Sequence, residues 1–439
     1  MNNDIIELLN IKGIDVDLEN STVTRQNGSL LCYLKLIKKD EKCPVCGSRT
    51  IVTKDYRDKK ITHSVSTVSP CFIVYRARRF ICKNCGKIFY EHNPFSLPDE
   101  KVTTLTKILV LDYLRSHTET FSAAAKLFNL STTSVVNIFD NYVDMKALPL
   151  PNVICIDEIY TNRLCSTSKY TCIIADFYTN SIVEMYRSRH KLYLTACFNR
   201  IPANQRDKVC AVVMDMWDSY RDLAHVYFKN AIVAVDSFHI IMHINDALTQ
   251  IRINIMNKYK TNVSSFIEHD MYYYMLKKFH YFFTKDFDKI TEKPIRIYKL
   301  RTKWDKYEIR KYLLSIHPDL YYAYWLKEDY REFNKTAYYE SCDEELGEFI
   351  DKFSNSHLKE YRDVGKMLQR WRTEIKNSFI RVSNKRLSNG SIEGINSKLR
   401  CIIKNANGYC NWERFRNRCM FCINKKAPIK GMPKSKINY

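Results

Sequence analysis

The chain has 439 residues, 70 Lys+Arg against 48 Asp+Glu, a formal net charge of +22 and 45% hydrophobic residues. That apolar share sits near the soluble globular average and excludes a wholly disordered or collagen-like chain, and no run of about 18 uncharged apolar residues marks a transmembrane helix. The start, Met1-Asn2-Asn3-Asp4-Ile5-Ile6-Glu7, lacks the basic-then-apolar pattern of a secretory signal, so the expected compartment is a bacterial cytosol. In that reducing setting the 16 cysteines are expected to be metal ligands and buried thiols, not a disulfide framework. The abundance of Lys, Asn, Ile and Tyr, with only 10 Gly, fits a host with AT-rich DNA, so the distribution of the charge matters more than its size.

In chain order, a turn at Gln26-Asn27-Gly28-Ser29 is followed by a strand over residues 30–37 that leads into the first cysteine pair. Cys43-Pro44-Val45-Cys46-Gly47 and Cys82-Lys83-Asn84-Cys85-Gly86 are two knuckles of one spacing. Two residues between thiolates let one tight turn aim both sulfurs at a single tetrahedral ion, and the glycine relieves that turn. Together Cys43, Cys46, Cys82 and Cys85 make a closed four-cysteine site with no open position, which points to structural Zn2+. His63, Cys71 and His92 are alternative ligands that read better as ordinary residues.

Helical spacing follows at 103–117, 121–128 and 132–143. Small residues Ala123, Ala124 and Ala125, a turn at Asn129-Leu130-Ser131, and Ser131 or Thr132 as an N-cap suggest a helix-turn-helix. Thr132, Thr133, Ser134 and Asn137 then stand near the start of the second helix, where base edges are read. A plain three-helix bundle with Leu127, Leu130, Val135, Val136 and Ile138 in its core uses the same pattern.

Past Pro149 and Pro151 the period changes. Buried-strand runs occupy 153–157, 170–176 and 181–186, with a turn at Tyr178-Thr179-Asn180. A helix near 190–200, a strand at 209–215, a further helix and a strand at 231–236 complete the pattern. From Phe238 to about Ile380 the reading is helical and Tyr-rich, with no strand.

Asp157 is expected to end the first of these strands and Asp215 the fourth, and Glu393 lies where a turn is expected to open a helix in Ser388-Asn389-Gly390-Ser391-Ile392-Glu393-Gly394-Ile395-Asn396. In a ribonuclease H-like arrangement strands one and four are neighbours, so three such acids can hold two Mg2+ (or Mn2+) ions for in-line attack on a phosphodiester. Asp176 and Asp236 also end strands, and Glu158 adjoins Asp157, so spacing alone does not choose among them. From Lys376 to Tyr439 fifteen Lys and Arg face only Glu393 and Glu413, more than half the net charge of the chain. Interleaved apolar residues make 376–420 a candidate polyanion-binding surface, with Lys398, Arg400 and Lys404 at its centre.

At these motifs the sequence resembles the ISL-three family of insertion-sequence transposases over nearly its whole length. The resemblance rests on the double knuckle, the helix-turn-helix, Ile156-Asp157-Glu158, Met214-Asp215-Met216-Trp217 with Tyr220, and Val235-Asp236-Ser237-Phe238-His239. It continues through the block 388–396 to Gly408-Tyr409. It implies a DDE-type recombinase with a ribonuclease H-like α/β core interrupted by an all-helical insertion, and a catalytic triad of Asp157, Asp215 and Glu393. Asp236 is then secondary to the triad, and His239 reads as a capping or core residue before a phosphate-positioning one. Lys404-Asn405-Ala406-Asn407 departs from the more basic, aromatic stretch usual in the family.

The implied organisation is a zinc-binding domain over 1–100, a helix-turn-helix domain over 101–150, the first part of the core over 151–240 and the insertion over 241–380. Core completion and a basic tail occupy 381–439. The expected partners are double-stranded DNA, as terminal inverted repeats and target, and a second protomer, since joining two ends calls for at least two. A catalytically silent DNA-binding regulator is the alternative function, and a nuclease acting on branched DNA a further one.

Overall fold

In the computed structural model, which describes residues 15–64, 69–161, 168–260, 267–427 and 429–430, Asn27 and Gly28 both take positive φ, 47° and 76°. That pair makes the two-residue hairpin turn whose twist matches its flanking strands, and it joins β1 (Val16–Gln26) to β2 (Ser29–Leu36). β3 (Ile51–Thr62), β4 (Cys71–Cys82) and β5 (Ile88–Tyr90) extend the sheet in the order β1-β2-β4-β3, with β5 also on β4. Cys32, Leu34, Leu36, Ile73, Tyr75 and Ala77 alternate onto one buried face.

The chain divides into two units, one built from residues 15–147 and 396–430 and the other from 148–160 and 168–395. In the first, α1 (Thr104–Tyr113), α2 (Phe121–Leu127) and α3 (Thr132–Tyr142) follow the sheet. Thr103, Thr120 and Ser131 cap them, each accepting an N–H bond from a residue in the first turn. The N–H of Ser64 donates to Thr106 Oγ1 at 2.7 Å and His63 Nδ1 lies 3.1 Å from Thr103 Oγ1, so the sheet is bonded directly to α1.

The last described helix of this unit, α16 (Trp412–Ile423), returns from the far end of the chain. Arg418 is 1% exposed and donates to the carbonyls of Ser116 and Glu119 at 2.9 and 2.7 Å. Arg414 forks onto Asp140, and Arg416 donates to the carbonyl of Met145 at 2.7 Å. Phe421 packs edge-on to Phe139. The C-terminal segment is therefore a fourth helix of this bundle, held by guanidinium groups that are satisfied within the fold.

The second unit is centred on β6 (Val153–Tyr160), β7 (Tyr170–Asp176), β8 (Ile182–Tyr186), β9 (Ala211–Met214) and β10 (Ile232–Val235), in the order β10-β9-β6-β7-β8. β6, β7 and β8 form an antiparallel meander, and β9 and β10 run parallel to β6. Apart from strand ends and the half-buried Glu158 and Glu184, the residues of these strands are buried, which is why they read as largely apolar runs. Asp176 accepts the N–H bonds of Tyr178 and Thr179, which builds the turn into β8.

α4 (Lys191–Phe198), α5 (Ala203–Arg206) and α6 (Asp218–Tyr227) connect the strands. α7 (Ser237–Lys258) follows β10 and buries Ile240, Ile244, Leu248, Ile251 and Ile255, a stripe at helical spacing. α8 (Ile267–Lys278), α9 (Tyr281–Thr284), α10 (Lys306–Ser315), α11 (Pro318–Thr336), α12 (Cys342–Ser354), α13 (Lys359–Arg370) and α14 (Arg372–Asn377) share its core. The region is not wholly helical. A hairpin of β11 (Ile295–Ile297) and β12 (Thr302–Trp304) lies within it, and β13 (Arg381–Val382) pairs with β14 (Lys385–Arg386) after it. Strands of two or three residues are too short to show alternation, so the sequence pattern does not reveal them. α15 (Gly390–Asn405) follows.

Candidate functional site: a four-cysteine centre and a row of aspartates

The two knuckles fold alike. The N–H of Gly47 donates to the carbonyl of Cys43 and that of Gly86 to Cys82, both at 2.9 Å, and the two glycines take φ of 69° and 71°. A Cβ there would sit in a strained backbone region, which explains the glycine in both turns. The turns bring Cys43 Sγ to 3.5 Å from Cys85 Sγ and Cys46 Sγ to 3.6 Å from Cys82 Sγ. All four sulfurs lie within 4.8 Å of one another. Backbone N–H groups of Cys46 and Val45 pull the Cys43 thiol down, toward the thiolate a metal requires, while the crowded sulfurs of Cys46, Cys43 and Cys82 push Cys85 up.

This donor set fits a structural Zn2+ ion closed by four thiolates. The alternative ligands do other things: His63 bonds Thr103, Cys71 is buried against Cys32, and the N–H of His92 donates to Glu41.

In the second unit the register of the parallel strands aligns three acids. Ile156 pairs with Met214, and Met214 with Val235. Asp157, Asp215 and Asp236 are therefore the next residues on three adjacent strands, which are spaced about 4.8 Å apart. Asp157 does not end its strand, because β6 keeps pairing with β7 as far as Tyr160; only the parallel pairing with β9 stops at Ile156. Asp157 and Asp236 are buried. Burial holds the Asp236 carboxyl above the usual carboxylate range, and the charge of Asp215 adds to the effect.

His239 and Asn389 join this row. His239 Nε2 lies 2.9 Å from Asp215 Oδ1, and Asp236 occupies the N-cap position of its helix. Burial works against its protonated form, but the Asp215 bond and the charges of Asp236 and Asp157 raise its pKa overall. Asn389, 2% exposed, donates its amide to Asp215 Oδ1 at 3.1 Å and to the carbonyl of Ile156 at 3.4 Å, while its N–H reaches Asp236 at 3.3 Å. Sequence reasoning assigned neither contact; the only signal was that both residues stand inside the blocks holding Asp236 and Glu393.

Glu393 is exposed on the first turn of α15, and its N–H donates to the carbonyl of Asn389 at 3.2 Å. It thus stands one helical turn beyond the residue that ties Asp215 to Asp236. Among the described residues the cysteine set alone has three or more ligand atoms within 4.8 Å of one another, so the acids are near neighbours without being drawn together that closely.

Thr132, Thr133 and Asn137 are exposed on α3 and Ser134 is half-buried, while Val135 and Ile138 face the core. Lys398, Arg400 and Lys404 are exposed on α15. The basic segment is a less continuous surface than its composition suggests. Arg386 is bonded to the carbonyl of Ser378 and to Asn334, and Arg414, Arg416 and Arg418 hold the helical bundle together.

Against known families, a transposase model, that of the ISL3 type, matches residues 154–419. A model for the zinc finger of the IS204/IS1001/IS1096/IS1165 transposases matches residues 39–85. No curated protein matches the chain.

Proposed function

We propose that this chain, which belongs to the ISL-three family of transposases, binds the terminal inverted repeats of its insertion sequence. There it cuts and joins DNA with Asp157, Asp215 and Glu393 as its triad. One observation carries the reading: the aspartates that follow Ile156, Met214 and Val235 stand in a row, and Asn389 binds two of them one turn before Glu393. The strand order, with its meander followed by two parallel strands, supports a ribonuclease H-like core.

The acids suit a hard divalent ion, because the buried Asp236 carboxyl, whose proton affinity burial and the charge of Asp215 raise, is relieved by a cation. Asp157, Asp215 and Glu393 would hold Mg2+ or Mn2+, with Asp236 beside them. When bound, a pair of such ions supplies Lewis-acid activation of the attacking oxygen and charge stabilisation at the leaving oxygen. The chain itself contributes orientation. His239 and the Asn389 amide converge on one oxygen of Asp215 and fix its carboxylate. The capped helices α2 and α3 support a helix-turn-helix that reads sequence through Thr132, Thr133, Ser134 and Asn137. Lys398, Arg400 and Lys404 add phosphate contacts without specificity.

Glu393→Ala tests the third acid. With labelled repeat ends, the variant is expected to lose cleavage by about a thousandfold or more while binding those ends within about threefold of the parent. Cleavage at an undiminished rate would remove Glu393 from the triad. Asn389→Ala is expected to slow cleavage by about 10- to 100-fold, the usual effect of losing a group that orients a ligand. An unchanged rate in a folded variant would show that the Asn389 bonds do not position Asp215.

A further inference from the structure

The insertion carries a surface that the triad and the N-terminal modules leave unused. Ile295 to Trp304 contains Arg296, Lys299, Arg301 and Lys303 and no acidic residue, against 70 Lys+Arg in 439 for the whole chain. Ile297 is fully buried and Trp304 half-buried, so the hairpin of β11 and β12 is fastened to the helical core by its apolar residues. What remains outside is basic and aromatic: Arg296, Tyr298, Lys299, Leu300, Arg301 and Lys303 are all exposed, Tyr298 at 65%.

Two features go against the interests of a free-standing hairpin, and a third concentrates positive charge on it. Arg296 and Lys303 are direct cross-strand partners, and like charges placed opposite each other destabilise a ladder. Arg301 takes φ of 52°, a left-handed conformation that asparagine or glycine adopts at lower cost. Lys278, at the end of α8, stands over the Tyr298 ring at 4.1 Å and Arg296 lies 5.4 Å from the same ring, which crowds further positive charge onto the tip. Of the nearby acids, Asp270 pairs with Lys299 of the hairpin itself and offsets that one charge, while Glu292 pairs with Lys306; Arg296, Arg301 and Lys303 carry the remaining charge. Glu268 is exposed on α8 and opposes the trend without balancing it.

We infer that this hairpin is a clamp for the phosphate backbone of duplex DNA, with Arg296, Arg301 and Lys303 as its phosphate contacts. A polyanion relieves the Arg296–Lys303 repulsion and gives a reason for a charged residue at the left-handed position. Contacts of this kind bind without reading sequence, so the clamp would hold DNA next to the repeat or the target. The inference rests on the transposase reading for its choice of DNA, but its test does not depend on cleavage or on end recognition.

The full-length protein and its Arg296→Ala/Arg301→Ala/Lys303→Ala variant are titrated with labelled random-sequence duplex at several salt concentrations. Each lost phosphate contact is expected to reduce the slope of log affinity against log salt by about 1, so the slope should fall by about 2–3. Arg301→Asn removes one charge while suiting the backbone better, and should lower the slope by about 1 with the fold intact. Unchanged slopes in both variants overturn the inference. So does a loss of binding to vesicles of anionic phospholipid with duplex binding intact, which would make the tip a membrane contact. If the parent binds random duplex through the hairpin yet never cuts its own ends, the clamp stands and the triad reading fails; normal cutting with unchanged slopes gives the reverse.

Discussion

Asp215→Ala is expected to abolish strand cleavage, by at least about a thousandfold, while end binding stays within a few-fold of the parent. A thousandfold loss corresponds to about 4 kcal/mol of transition-state stabilisation. Asp215 stands at the centre of the row, between Asp157 on β6 and Asp236 just past β10, and it receives both the Asn389 and the His239 contacts. Removing it takes away one carboxylate and the shared partner of two orienting groups. The substitution lies in the second unit, whereas the zinc centre and α3 belong to the first, so recognition of the repeat should survive. The discriminating measurement pairs a cleavage assay with a binding titration on the same labelled ends. Loss of binding together with cleavage would mean that Asp215 supports the fold and is not a catalytic group.

Cys46→Ser is expected to release zinc and unfold the N-terminal sheet. Apparent binding free energies of structural zinc are about 10–16 kcal/mol, comparable to the whole stability of an ordinary domain. Cys46 is paired with Cys82 at the end of β4, the strand that contacts β2, β3 and β5, so the damage should spread through the sheet. It should also loosen α1, which is tied to the sheet through Ser64 and Thr106. The β6–β10 sheet draws on none of these residues and should keep its own unfolding transition. Zinc content by metal analysis, with limited proteolysis mapped along the chain, checks the prediction. A variant that keeps one zinc per chain, or that loses zinc with residues 15–100 still resistant, would contradict it.

Much of this architecture is legible in the sequence because its signals are local. The knuckles announce themselves by spacing and by a following glycine, and Asn27-Gly28 marks its hairpin. The five strands of the second sheet are apolar runs that only burial on both faces produces, and they fall at or within a few residues of their expected positions. What the sequence hides is long-range. Asn389 meets Asp215 across 174 residues, and Arg418 meets Ser116 across 302. No periodicity records such partners. Counting charge along the chain treated Arg386, Arg414, Arg416 and Arg418 as surface, because composition does not distinguish a guanidinium aimed at DNA from one aimed at a carbonyl. That Asp236 stands level with Asp157 and Asp215 is hidden for a similar reason: it follows from strand register, which one strand alone does not specify.

On this reading Asp157, Asp215 and Glu393 cut DNA at the ends of the insertion sequence. The most direct test incubates the purified full-length protein with labelled DNA carrying the ends that flank its own gene, with Mg2+ or with a chelator. The account predicts metal-dependent nicks at the boundary of the terminal repeat. Tight, sequence-specific binding with no cleavage under Mg2+ or Mn2+ would contradict it and make the protein a DNA-binding regulator.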